Sequence, residues 1–130
     1  MPLYDIVFKR GSAEYEKSRR RFINSAVPDR YPHSIIHPQS TEDVVSAIKH
    51  ASQLGKHISI RSGGHLFPMQ HLQTDEILLD MKGVNPRVEF DSKTRLINFG
   101  PGQTVQDLQR WLTPRKLFFP TGHANSVGMG

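Results

Sequence analysis

Eight residues, Ile58-Ser59-Ile60-Arg61-Ser62-Gly63-Gly64-His65, combine an alternating strand, two side-chain donors, a bare glycine pair and an imidazole. Two glycines at the end of a strand let backbone N–H groups approach an anion, because no side chain stands between them. Arg61 and Ser62 add donors that suit a phosphate oxygen. His65 comes at once after them, beside whatever rests on those phosphates. The chemistry of such a set is the holding of a phosphate-bearing cofactor with a reactive ring, and a dinucleotide is the obvious candidate.

Neither common nucleotide signature is present. A P-loop continues from its last glycine with lysine and Ser/Thr, whereas His65-Leu66 stands here. A Rossmann fingerprint has three spaced glycines and opens a helix, whereas Phe67, Pro68 and a non-periodic run stand here. Taken alone, Gly-Gly after a strand is more often a tight turn than a ligand loop. His65 and His71 invite a metal reading. No carboxylate or cysteine stands at ligand spacing beside them, so no metal is expected.

The elements around this loop are legible. Ser12 can cap a charged helix over 13–24, with Tyr15 and Phe22 on one side, and Pro28 and Pro32 prevent its continuation. Ser34 to His37 reads as a short strand stopped by Pro38. Ser40 and Asp43 form a capping box for a helix bearing Val44, Ala47, Ile48, Ala51 and Leu54, and Gly55 supplies the left-handed exit. His57 to Arg61 is the next strand, which predicts a parallel strand–helix–strand crossover. Ile77 to Asp80 is a further apolar strand. Residues 87–90 and 95–99 read as an antiparallel hairpin. Thr104 caps a second amphipathic helix with Val105, Leu108, Leu112 and a core Trp111, and Pro114 ends it.

Composition narrows the classes. A chain of 130 residues suits one domain, and 36% hydrophobic residues with dispersed Gly and Pro is compatible with a folded core. The charge of +5 comes largely from an N-terminal run that includes Arg19, Arg20 and Arg21; it reads as a solvated helix face, so no nucleic-acid partner is expected. With no cysteine there is no disulfide scaffold, zinc-thiolate site or thiol nucleophile. No stretch approaches the roughly 20 apolar residues of a membrane span, and no membrane partner is expected. Residues 1–10 show no secretory leader, which leaves the compartment undecided and tilts toward an intracellular one. The closing run Val127-Gly128-Met129-Gly130 reads as a chain truncated within a longer protein.

The order of motifs is more informative than any one of them. Residues 38–44, the helix, Arg61-Ser62-Gly63-Gly64-His65, Ile77 to Met81, Gly100-Pro101-Gly102 and residues 120–128 succeed one another in a pattern that closely resembles the PCMH-type FAD-binding domain of the vanillyl-alcohol-oxidase superfamily. The berberine-bridge-enzyme-like FAD-linked oxidases are the nearest branch. The resemblance runs from residue 32 to 130, with 1–31 as an N-terminal helical segment.

It implies an α/β fold (α+β in some schemes), with a small parallel βαβ layer packed against a short antiparallel sheet and FAD between them. It implies phosphate contacts at Arg61, Ser62, Gly63 and Gly64. It implies a histidine, His65, that in many members bonds covalently to the flavin 8α-methyl. Gly122, His123, Val127, Gly128 and Met129 would line the other side of the cofactor. The second flavin linkage of some members needs a cysteine where Gly122-His123-Ala124 stands, so a doubly linked flavin is excluded. The implied activity is oxidation of an alcohol, sugar, amine or related small-molecule donor, with the base supplied by a later domain and no catalytic residue within these 130. The rival is a truncated, non-catalytic nucleotide-binding remnant.

Overall fold

The computed structural model describes residues 6–130. Its main sheet has four strands: β1 (Val7–Lys9), β2 (Ser34–Ile36), β3 (Ile58–Arg61) and β4 (Ile77–Asp80). Their spatial order is β1-β2-β4-β3; β1 runs antiparallel to β2, and β4 pairs in parallel with both β2 and β3. The expected crossover is therefore present but wider than predicted. The strands on either side of the long helix are not neighbours, because β4 lies between them. β1 is not legible in the sequence; three residues carry too little pattern, and its hydrogen-bond partners are supplied by β2.

β4 is buried along its whole length, since both of its faces are covered. Ile77 and Leu79 join Ile36, Ile6, Ala47 and Ala51 on one face. Leu78 joins Ile35, Tyr15, Met69 and Leu72 on the other. The alternation reflects the two-residue period of a strand, and each fully buried aliphatic stabilises by about 1.5–3 kcal/mol.

The helix on the first face is α2 (Thr41–Gln53). Its predicted capping box forms: Ser40 Oγ accepts from the Asp43 N–H at 3.1 Å, and Asp43 Oδ2 accepts from the Ser40 N–H at 3.2 Å. Gly55 takes the left-handed exit at φ +63°. The buried stripe is narrower than the apolar pattern. Ala47 and Ala51 face the sheet, while Ile48 and Leu54 stay exposed.

The first helix, α1 (Ala13–Arg19), starts behind Ser12 as expected but stops five residues earlier than predicted. The chain leaves the helix at Arg20, and Arg21 turns to the carboxylate of Asp80. α1 packs on the second face, where Tyr15 is buried and donates its hydroxyl to the Pro32 carbonyl at 2.7 Å.

The predicted hairpin is β5 (Val88–Asp91) with β6 (Leu96–Phe99), a two-stranded sheet of its own. The last helix, α3 (Val105–Leu112), is capped by Thr104 and Asp107. Trp111 is only half-buried, a correction to its reading as core; the Arg115 guanidinium lies 4.1 Å above its ring. No described helix is long and apolar enough to cross a membrane.

Candidate cofactor site

Register brings the ends of two strands together. Arg61, the last residue of β3, stands beside Asp80, the last residue of β4. Both are buried, at 2% and 0% exposure. The Arg61 guanidinium donates to Asp80 Oδ2 from Nη2 at 2.6 Å and from Nε at 3.2 Å, and Nη2 also donates to Ser18 Oγ at 3.0 Å. Arg21 grips the same carboxylate, with Nε 3.0 Å from Oδ2 and Nη2 2.5 Å from each oxygen. Two guanidiniums on one carboxylate leave one surplus positive charge. Burial by itself raises the Asp80 carboxyl, but Arg61 and then Arg21 outweigh it and hold it below the usual carboxylate range.

The glycine loop sits directly after this ion cluster. Gly64 has φ +74°, and a Cβ there would lie 3.1 Å from both the Arg21 carbonyl and the Phe22 side chain. A Cβ on Gly63 would fall 2.3 Å from the Gly128 nitrogen. Both glycines thus serve the chain's own packing: one permits a left-handed turn, the other lets residues 127–130 lie against the loop. Their N–H groups remain available. Among the described residues, none accepts a hydrogen bond from the backbone N–H of Gly63, Gly64 or His65.

A cavity of about 650 Å³ opens here, walled by β3, the 62–66 loop, residues 70–76 and the 127–130 segment. The hairpin β5–β6 lends it no residue, so the cavity does not lie between the two sheets as expected. It lies at the β3 edge of the main sheet.

The predicted site residues divide into two groups. Arg61, Ser62, Gly63, Gly64, His65, Val127 and Gly128 all line this cavity. Gly122, His123 and Met129 do not. Gly122 and His123 are exposed, and the Met129 N–H is tied to the Gln103 carbonyl at 2.8 Å. Within the first group, two side chains are already engaged. The Ser62 hydroxyl donates to the Pro101 carbonyl at 2.5 Å, and Arg61 Nε and Nη2 are spent on Asp80 and Ser18. The nitrogen left free is Arg61 Nη1, buried with no hydrogen-bond partner. Ser59 Oγ and His71 Nε2 share that condition.

Three further residues escape a reading of the sequence. Asp80 holds Arg61, and Arg21 holds Asp80; the available signal for the first pair is that β3 and β4 are apolar strands ending on opposite charges. The sequence offers His71 only as a metal ligand. It is buried and lines the cavity, with its ring edge-on to Phe22 at 5.9 Å. Among the described residues, no three His, Asp or Glu side chains are grouped to hold a metal ion.

These features fit the diphosphate of a dinucleotide: free N–H groups on a side-chain-less turn and a surplus positive charge beneath it. Comparison with known proteins agrees. The chain is 37% identical over 118 residues to the FAD-linked oxidoreductase janO of Penicillium janthinellum, covering 91% of this chain and 26% of that protein. It is 32% identical over 115 residues to berberine bridge enzyme-like 18 of Arabidopsis thaliana, covering 85% and 21%. It superposes on the crystal structure of aclacinomycin oxidoreductase with a TM-score of 0.83 at 26% identity, over 96% of this chain and 26% of that one. The chain therefore spans about a quarter of the length of these relatives. Residues 32–130 match the family described as FAD binding domain, and the chain belongs to that family, whose cofactor is FAD.

Proposed function

We propose that this chain is the cofactor-holding portion of an FAD-dependent oxidoreductase acting on an alcohol, sugar, amine or related small-molecule donor. The observation that carries the reading is the set of unpartnered N–H groups at Gly63, Gly64 and His65 above the Arg21–Asp80–Arg61 cluster. When bound, FAD supplies a ring that accepts a hydride from the donor. The chain's own residues bind and orient. The glycine turn presents its N–H groups to the phosphates, and Asp80 fixes the buried Arg61 guanidinium beneath it. The 127–130 segment forms the opposite wall.

His65 lines the cavity with no side-chain hydrogen bond to another described residue. His65 would be the residue that holds the flavin covalently: an imidazole nitrogen would replace one hydrogen of the 8α-methyl carbon, and the two electrons and two protons released would pass through the ring to dioxygen or another acceptor. His65 is the single attachment point in this reading, since the chain has no cysteine for a second.

The test is titration of the purified chain with FAD, monitored by flavin fluorescence, and then denaturation of the loaded protein. Saturable binding supports the holding role, and absence of binding overturns it. Flavin retained by the denatured wild type and released by His65→Ala supports the linkage. Quantitative release from the wild type removes it and leaves a non-covalent site.

A further inference from the structure

The peptide unit that joins Gly64 to His65 carries two opposed groups. Its carbonyl belongs to Gly64 and its N–H to His65, and in a trans peptide the two point in opposite directions. Whatever fixes the carbonyl therefore aims the N–H. The carbonyl accepts a hydrogen bond from the Ile23 N–H at 3.2 Å. The His65 N–H has no backbone acceptor among the described residues, and His65 lines the cofactor cavity. Ile23 does not line that cavity, so it acts on the turn only through Gly64.

The glycine makes such a hold necessary. Without a Cβ, Gly64 has access to many backbone angles, so the peptide after it can turn over at little steric cost. Turned over, it would put the Gly64 carbonyl oxygen where the His65 N–H stands, and that oxygen repels an anion. The bond from Ile23 is lost in the turned state and so opposes the flip.

The segment that supplies the bond is itself anchored. Residues 21–23 follow the end of α1 and belong to no helix or strand. Arg21 Nε holds the buried Asp80 carboxylate at 3.0 Å, and the Phe22 side chain packs on the cluster of Tyr15 and Leu78. The Ile23 side chain is 54% exposed, so what this residue gives the turn is its backbone N–H.

We infer that Ile23 is a positioning residue of the cofactor site: its N–H holds the Gly64 carbonyl so that the His65 N–H faces the phosphate. It lies before residues 32–130, the part matched to the FAD-binding family. The inference rests on the FAD-holding role above. Linkage makes the effect mutual: the held turn favours the anion, and a bound anion strengthens the hold.

The experiment compares Ile23→Pro with Ile23→Ala. Both lose the exposed side chain, and only proline loses the N–H. Tyr15→Phe is the stability control, since it gives up a buried hydrogen bond to the Pro32 carbonyl and does not line the cavity. Each is titrated with FAD and with ADP, which carries a diphosphate and no flavin. We expect Ile23→Pro to bind both ligands about tenfold more weakly than Ile23→Ala, the effect of one hydrogen bond to a charged group. Tyr15→Phe should unfold at lower urea and keep the wild-type affinity. Equal affinities of Ile23→Pro and Ile23→Ala overturn the inference. So does a loss in Tyr15→Phe as large as that in Ile23→Pro, which makes the effect one of general stability.

Amide hydrogen exchange on the wild type decides the matter whatever the variants' folding. Saturating ADP should slow exchange at Ile23 by up to about tenfold, while the Leu117 amide, bonded to the Leu112 carbonyl away from the cavity, should not change. No slowing at Ile23, or the same slowing at Leu117, overturns the inference. A wild type that binds neither FAD nor ADP removes the holding role itself, an outcome distinct from all of these.

Discussion

Gly63 and Gly128 exclude each other's side chains. A Cβ on Gly63 would lie 2.3 Å from the Gly128 nitrogen, and a Cβ on Gly128 would lie 2.5 Å from the Gly63 nitrogen and from Ser62 Oγ. The obstacles include backbone, which cannot swing aside as a long side chain can. Gly63→Ala and Gly128→Ala should each destabilise the chain by about 1–3 kcal/mol and weaken FAD binding, because the two cavity walls must part. Gly122→Ala is the control: nothing lies within 4 Å of its Cβ, and it should change stability by less than about 0.5 kcal/mol. Urea unfolding of the three variants checks the contrast.

Gly64 fails for a different reason. Its φ of +74° is a conformation that side chains resist at about 1–2 kcal/mol, and a β-branched residue resists it more. Gly64→Val should lose FAD binding, while Gly64→Ala should keep part of it. Unchanged FAD affinity in a folded Gly64→Val chain would remove the glycine turn from the phosphate site.

Asp80→Asn leaves two guanidiniums facing a neutral amide in a buried place. Breaking a buried pair in this way costs about 3–5 kcal/mol. The pH dependence has a definite sign. Asp80 titrates below its ordinary 3.8 in the folded chain, so its contribution is complete above 3.8 and is lost as the pH falls below that value through the lower folded-state pKa. Thermal unfolding between about pH 6 and about pH 2.5 should show a steep acid loss in the wild type that is shallower in Asp80→Asn.

His71 titrates in the opposite sense to a histidine that gains an ionic partner. Its pKa drops from 6.5 to about 4 on folding, so the unfolded chain takes up a proton that the folded chain refuses. Stability is therefore highest above pH 6.5 and declines as the pH falls toward 4. At 1.36 kcal/mol per pKa unit, this one group removes about 3 kcal/mol over that range. His71→Phe should flatten the Tm profile between about pH 7 and about pH 4.5 relative to the wild type. A parallel profile would show that His71 is not the group responsible.

Much of this architecture is written locally. Ser40 with Asp43, the cap Thr104 and Gly55 are signals completed within a few residues of themselves, and each forms as read. The glycine turn is legible for the same reason, whereas the cavity joins residues 58–76 to 127–130 and does not lie between the two sheets as expected. The features that escape depend on residues far apart in sequence. Arg61 reads as free for phosphate, yet Asp80, nineteen positions away, takes its Nε and Nη2. Arg21 leaves its helix for a partner fifty-nine positions on. The period of α2 predicts a broad buried stripe, but the sheet accepts only small Ala47 and Ala51, so Ile48 stays in water. Gly122 and His123 follow the motif order, and they do not line this cavity.

The position of β4 between β2 and β3 bears on how the chain acquires its shape. Until residue 80 is available, β2 and β3 have no strand between them and form no hydrogen bonds to each other. The early chain is a pair of open edges with an empty slot, a form prone to pairing with other chains. Inserting Ile77–Asp80 fills the slot and delivers Asp80 to Arg61 and Arg21 in the same event. Sheet completion and neutralisation of buried charge are thereby one cooperative step of long sequence separation, which predicts slow refolding from denaturant. A chain that ends before β4 would expose those edges and should aggregate, whereas one that extends past residue 80 should not.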